Sequence, residues 1–187
     1  MFRATLAAVL VPAFSIACVA GASDSPTAPS DTSGNGTPSA ISSDAEFFTF
    51  VTQTQSFRSY TPFPNLDTSA AGTLIASSAH QPVIRVSMND VAAGALQNGR
   101  LPSGASFPDG SVIFKEVLGT NGLVNLYAVM YKDRRNSLAG NGWLWAELRP
   151  SGGAEYSVRN RGSACTACHA LDRGPQNDFV RIFERQR

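Results

Sequence analysis

The chain has 187 residues, 43% of them hydrophobic, and a net charge of +1. So even a balance gives no electrostatic reason to bind nucleic acid, and the length suits one domain with a real core rather than several. Three cysteines and two histidines bound whatever metal or redox chemistry the chain carries.

Residues 1–22 read MFRATLAAVLVPAFSIACVAGA, with Arg3 as the lone charge before an apolar run from Ala4 to Ala20. That run is too short, and too interrupted by Pro12, for a spanning helix; it fits a signal peptide. Two cleavage readings compete. Ala20-Gly21-Ala22 is an A-x-A site that would release a soluble protein before Ser23. Ser15-Ile16-Ala17-Cys18 resembles a bacterial lipobox, with Ser15 where leucine is usual, and would make Cys18 the bearer of a lipid anchor. Residues 23–43 are rich in Ser, Thr, Pro and Gly and lack the apolar content to fold, which predicts a disordered tether.

The folded domain is expected over 44–187. Ser43-Asp44-Ala45-Glu46 has capping-box spacing, and Phe47, Phe50, Val51 and Phe57 follow at helical spacing, which predicts a helix from 44 to 57 with these side chains in the core or against a bound apolar group. Val83–Met88 reads as a strand. Asn89 then caps a helix over Asp90–Asn98, with Gly99 just past its end. Pro102, Gly104, Pro108 and Asp109-Gly110 mark loop and turn. Ser111–Leu118 and Leu123–Tyr131 are strands joined by a hairpin turn at Asn121-Gly122. Gly140-Asn141-Gly142 is another turn, before a strand over Trp143–Leu148 that Pro150 and Gly152-Gly153 end. The pattern predicts an α+β fold: an antiparallel meander with flanking helices.

Cys165-Thr166-Ala167-Cys168-His169 follows on a predicted helix or loop. This is C-x-x-C-H, the attachment sequence of a covalent c-type haem. Two thiols three positions apart can add to the two vinyl groups of one porphyrin, and His169 can then give a nitrogen to the iron. With Cys18 in the export segment, these are the two cysteines left for the domain. A Cys165–Cys168 disulfide is one alternative. A zinc site from Cys165, Cys168, His169 and His80 is another, but no second close-spaced ligand pair accompanies the first. A thioredoxin-like motif would sit early in a βαβ unit. Haem attached outside the cytoplasm agrees with the signal peptide and puts the protein in the bacterial periplasm, soluble or lipid-anchored.

Small electron-transfer cytochromes carry this motif near the start and a methionine ligand downstream. Here eighteen residues follow His169 and none is methionine. Four-helix cytochromes need long amphipathic helices, where this chain has turns every dozen residues. The segments Val83-Ile84-Arg85-Val86 with Asn89, Phe107–Glu116, Val129-Met130-Tyr131-Lys132, Gly142-Trp143-Leu144-Trp145, Cys165–His169 and Asn177-Asp178-Phe179-Val180 resemble, in order and spacing over about 80–187, the cytochrome P-460 proteins and their relative cytochrome c′-beta. The resemblance implies an antiparallel-sheet haem domain, one haem per chain and a homodimer.

It also implies a role for Lys115, which matches the lysine that forms an additional covalent bond to haem in cytochrome P-460. On its own, a strand lysine facing solvent is the ordinary reading. Lys115 shares a face with Ile113 and Val117, and if that face meets haem, desolvation lowers its pKa and makes it a nucleophile. Met88 and Met130 are the candidates for a second iron ligand, though core packing is their ordinary role, which leaves an open sixth position. Trp143, Trp145 and Glu147 share a strand face. Trp145 or Glu147 is a candidate to lie across the iron from His169; Glu147 is otherwise an exposed strand charge. Arg85 and Asp109 read as structural. The resemblance favours hydroxylamine oxidation with electrons leaving to a redox partner protein. The alternatives are nitric oxide binding or scavenging without turnover, and simple electron transfer.

Overall fold

The computed structural model describes residues 41–66, 70–71 and 80–186. The expected signal peptide, Cys18 and all but residues 41–43 of the expected tether lie outside them.

Ser43 caps α1 (Asp44–Thr49), its hydroxyl accepting the Glu46 amide at 3.2 Å. Glu46 reaches back to the Ser42 amide and hydroxyl rather than to Ser43, so the capping box is shifted by one residue. The helix runs on as a wider π-turn over Phe50–Thr54, short of the expected end at 57. The second helix, α2 (Asp90–Gly94), is also shorter than expected. Asn89 caps it as predicted, but Asn98 and Gly99 both take positive φ (51° and 76°) and close a tight turn that pairs Gln97 with Arg100. An Asn-Gly pair fits such a turn better than a helix end, and the turn wins.

The strands are β1 (Thr61–Pro62), β2 (Ala70–Ala71), β3 (Val83–Met88), β4 (Val112–Leu118), β5 (Val124–Lys132), β6 (Trp143–Leu148) and β7 (Ala154–Tyr156). From β3 to β7 they form an antiparallel meander, while β1 and β2 both pair with the free side of β3. The fold is α+β, as the sequence predicts; β7, which lies beyond the Gly152-Gly153 turn, is an element the sequence reading lacks. Of the turns, Asn141-Gly142 shows the chemistry most directly. Both residues have positive φ (53° and 79°), as a two-residue hairpin turn demands.

Side chains alternate between the sheet's two faces, and each face has its own core. Phe114, Tyr127, Val129, Tyr131, Leu144 and Ala146 meet Phe47, Phe50 and Val51 of the N-terminal helix. Phe57 stacks on Phe114, centroids 4.3 Å apart and planes within 6°. The N-terminal phenylalanines are therefore packed on one face of the sheet. Ile84, Val86, Ile113, Met130 and Trp145 line the other face, where the C-terminal segment covers them with Val180, Ile182 and Phe183. Met88 belongs to this second core.

Candidate functional site

Strand register builds the floor of the site. Val86 pairs with Lys115, Lys115 with Ala128, and Ala128 with Glu147, a row across four strands on one face. Ala128 is the small member, so the lysine and the carboxylate stand on either side of a gap. α3 (Ser163–His169) carries the C-x-x-C-H segment over this face. A cavity of about 270 Å³ lies between, lined by Lys115, Glu147, His80, Cys165, Cys168 and His169 and by apolar side chains such as Ile84, Val86, Ile113 and Ile182.

Three of the polar side chains form one chain. His80 Nε2 lies 2.8 Å from Glu147 Oε1, and Lys115 Nζ lies 3.0 Å from His80 Nδ1. An ionised carboxylate only accepts, so His80 Nε2 carries the hydrogen and Nδ1 is left to accept from Lys115. The charges agree with that assignment. The hydrogen bond from His80 holds the Glu147 carboxyl below its usual value. The Lys115 ammonium, and then burial, push the His80 imidazole down. Burial pushes the Lys115 amine down to about 8, with Glu147 opposing and Arg185 adding to the shift.

His169 is set from behind. Its Nδ1 lies 2.6 Å from the Phe179 carbonyl oxygen, which can only accept, so the hydrogen sits on Nδ1 and Nε2 keeps a free lone pair. Burial pushes the ring down to about 3, so it is neutral at any ordinary pH and needs to lose no proton to bind a metal. The supporting turn is itself locked. Asp178 and Phe179 both have positive φ (51° and 66°). The Asp178 carboxylate takes the Lys132 ammonium at 2.8 Å and the Phe107 amide at 2.9 Å, and its carbonyl takes the Trp143 indole N–H at 2.9 Å. Arg181, buried, ties the end of α3 by donating to the Cys168 carbonyl at 3.2 Å and to Asp172 and Glu184.

A match to the family model described as cytochrome P460 covers residues 66–181, more than half of the chain. The chain belongs to the cytochrome P460 family. It is a haem cytochrome of that family. No curated protein matches the chain.

The lining fits the cofactor the family carries. Apolar walls suit a macrocycle, two free thiols stand three residues apart on α3, and the next residue offers an unencumbered ring nitrogen. Arg185 adds a complement for the ring's carboxylates: its Nε and Nη2 are buried with no hydrogen-bond partner among the described residues, and it lines the cavity. The zinc alternative gains nothing from this cytochrome's geometry, because His80 is engaged with Glu147 and Lys115, and no group of three or more His, Cys, Asp or Glu among the described residues is arranged to hold a metal ion.

Of the residues singled out from sequence, Lys115, Glu147, Cys165, Cys168 and His169 come together in the cavity. Trp145 also lines it. Its ring meets that of His169 edge-on, centroids 4.8 Å apart. The cause is the close crossing of α3 over β6: a Cβ at Gly162 would fall 2.3 Å from the indole, so the bare backbone presses α3 onto Trp145. Met130 pairs with Trp145 and lines the cavity. Arg85 pairs with Glu116 at 3.0 Å, and Asp109 accepts from Arg134 at 3.1 Å, both structural contacts. Sequence reasoning missed His80 as a partner of Lys115 and Glu147; its one signal was being one of two histidines. It also missed Arg185, Arg181 and the Lys132–Asp178 pair, although Lys132 and Asp178 lie in segments that carry the family resemblance.

Proposed function

We propose that this protein is an exported mono-haem c-type cytochrome that oxidises hydroxylamine and passes the electrons to a redox partner. The observation that carries the reading is the Lys115–His80–Glu147 chain on the wall of the same cavity that holds Cys165, Cys168 and His169. When bound, the haem supplies an iron that can take up the substrate nitrogen and accept its electrons. Cys165 and Cys168 would hold the ring through thioethers and His169 Nε2 would be the iron ligand that the protein supplies. Lys115, enclosed and with a lowered pKa, would hold the ring as a third tether. Glu147, ionised and backed by His80, accepts protons that leave hydroxylamine as it is oxidised. The apolar walls restrict water, which strengthens the pull between that carboxylate and its hydrogen-bond donor His80. Residues 1–22 direct export, with Cys18 as the anchor if the lipobox is used, and the domain works as a homodimer.

The test is anaerobic turnover of hydroxylamine with an artificial electron acceptor, using the haem-loaded protein. Wild type is expected to turn over, and Glu147→Gln to lose about 10²–10⁴-fold in kcat while keeping its haem through acid–acetone extraction. Absence of turnover in wild type, with reversible nitric oxide binding, would replace this reading with the gas-binding one.

A further inference from the structure

We propose that His80 is the general base that deprotonates Lys115 for its bond to the haem edge, and that Glu147 positions His80 for this task. The inference rests on the reading of Lys115 as a haem tether.

The geometry is that of an activated nucleophile: nucleophile and base within hydrogen-bond reach, and the base oriented by a third group. Lys115 Nζ to His80 Nδ1 is 3.0 Å, and His80 Nε2 to Glu147 Oε1 is 2.8 Å. These residues come from three separate parts of the chain. Lys115 is on β4 and Glu147 on β6, with Ala128 of β5 between them. Two strand spacings separate their backbones by roughly 9–10 Å, and the hydrogen bond of the amine goes to His80 rather than to Glu147. His80 bridges the gap. The hydrogen placement is already the productive one, with Nε2 donating to Glu147 and Nδ1 open towards Lys115. Burial favours the neutral amine, and Glu147 stabilises the imidazolium formed when the proton arrives. A purely structural network would be equally well hydrogen-bonded. It would have no need to border the thiols and His169, nor to share the cavity with Arg185, a second cation that helps lower the pKa of the lysine.

In the step, Lys115 Nζ forms an N–C bond to a ring-edge carbon that carries hydrogen. Starting from the neutral amine, with any ammonium proton already lost to solvent, one N–H and one C–H bond break, and two protons and two electrons leave. His80 Nδ1 takes the amine's proton. A two-electron oxidant of the peroxide class accepts the electrons and, with both protons, is reduced to two waters, which returns His80 to its neutral form.

The test uses whole haem-loaded protein matured without oxygen, then given hydrogen peroxide. Bond formation is followed by tandem mass spectrometry, as joining of the Lys115 peptide to the Cys165–His169 haem peptide with loss of two hydrogens. His80→Asn is expected to slow the bond about 100-fold or more, with haem still on Cys165 and Cys168, and free imidazole is expected to restore part of the rate. Rescue separates a base from a residue that only shapes the wall. A wild-type rate in His80→Asn overturns the proposal. If that variant fails to load haem, Glu147→Gln decides: about tenfold slower bonding supports the proposal, and an unchanged rate overturns it. Wild type that never forms the bond overturns both this proposal and the tether reading, whereas equal bonding in wild type and His80→Asn overturns the proposal alone.

Discussion

A lysine amine inside a protein is useful as a nucleophile only while it is neutral, and Lys115 is held close to that condition. Burial brings it to about 8, against 10.5 for an ordinary lysine. The neutral fraction therefore grows as pH rises, and bond formation to the ring is expected to speed up with pH to about 8 and then level off. The same depression has a stability sign. Between about 8 and 10.5 the unfolded chain binds more protons than the folded one, so protein that has not formed the bond gains stability as pH rises through that window. Below 8 both states hold the proton and the penalty is constant. Urea unfolding of haem-loaded, unbonded protein from pH 7 to 11 would show the rise. Lys115→Arg keeps a cation but removes the primary amine, so it is expected to abolish the bond and give the spectrum of an ordinary c haem.

At the scale of elements, α3 depends on two close fits. One is Gly162, whose φ of 71° and approach to Trp145 leave no room for a side chain. Gly162→Ala combines left-handed strain, about 1–3 kcal/mol, with a clash into a buried ring. A loss of thermal stability is expected, together with a changed haem spectrum, because α3 carries His169. The other is the Lys132–Asp178 pair, buried at 2.8 Å with the ammonium 4.7 Å from the Trp143 ring centre. Lys132→Met leaves Asp178 buried and unpaired, which typically costs about 3–5 kcal/mol; denaturant titration measures it. The turn that aims the Phe179 carbonyl at His169 should loosen at the same time.

At the scale of the whole domain, the sheet separates scaffold from site. One face is packed by the N-terminal helix and the other holds the cavity under the C-terminal segment. The two cores should therefore respond independently to mutation. Phe47 is fully buried and its ring lies 6.4 Å from that of Tyr131 on the first face. Phe47→Ala is expected to cost about 3–5 kcal/mol while leaving the haem spectrum unchanged. Calorimetry and absorption on the same sample check both halves of that expectation.

Much of this was legible in the chain because it is local. C-x-x-C-H places two thiols and a histidine within five residues, and no fold is needed to read it. Period-two alternation assigns Ile113, Lys115 and Val117 to one face, and Asn-Gly and Gly-Asn-Gly turns mark where the meander reverses. Where local signals competed, the reading slipped: Asn98-Gly99 took its preferred turn and cut α2 short, and β7 was too brief to announce itself. What the sequence could not decide is contact between distant residues. His80 is 35 residues from Lys115 and 67 from Glu147, and strand register with a small Ala128 between brings the three together. Trp145 was assigned to the cavity face, but its contact with the His169 ring was not foreseen. A strand pattern sets which side of the sheet a ring occupies, and only the crossing of α3 at Gly162 sets what it touches there.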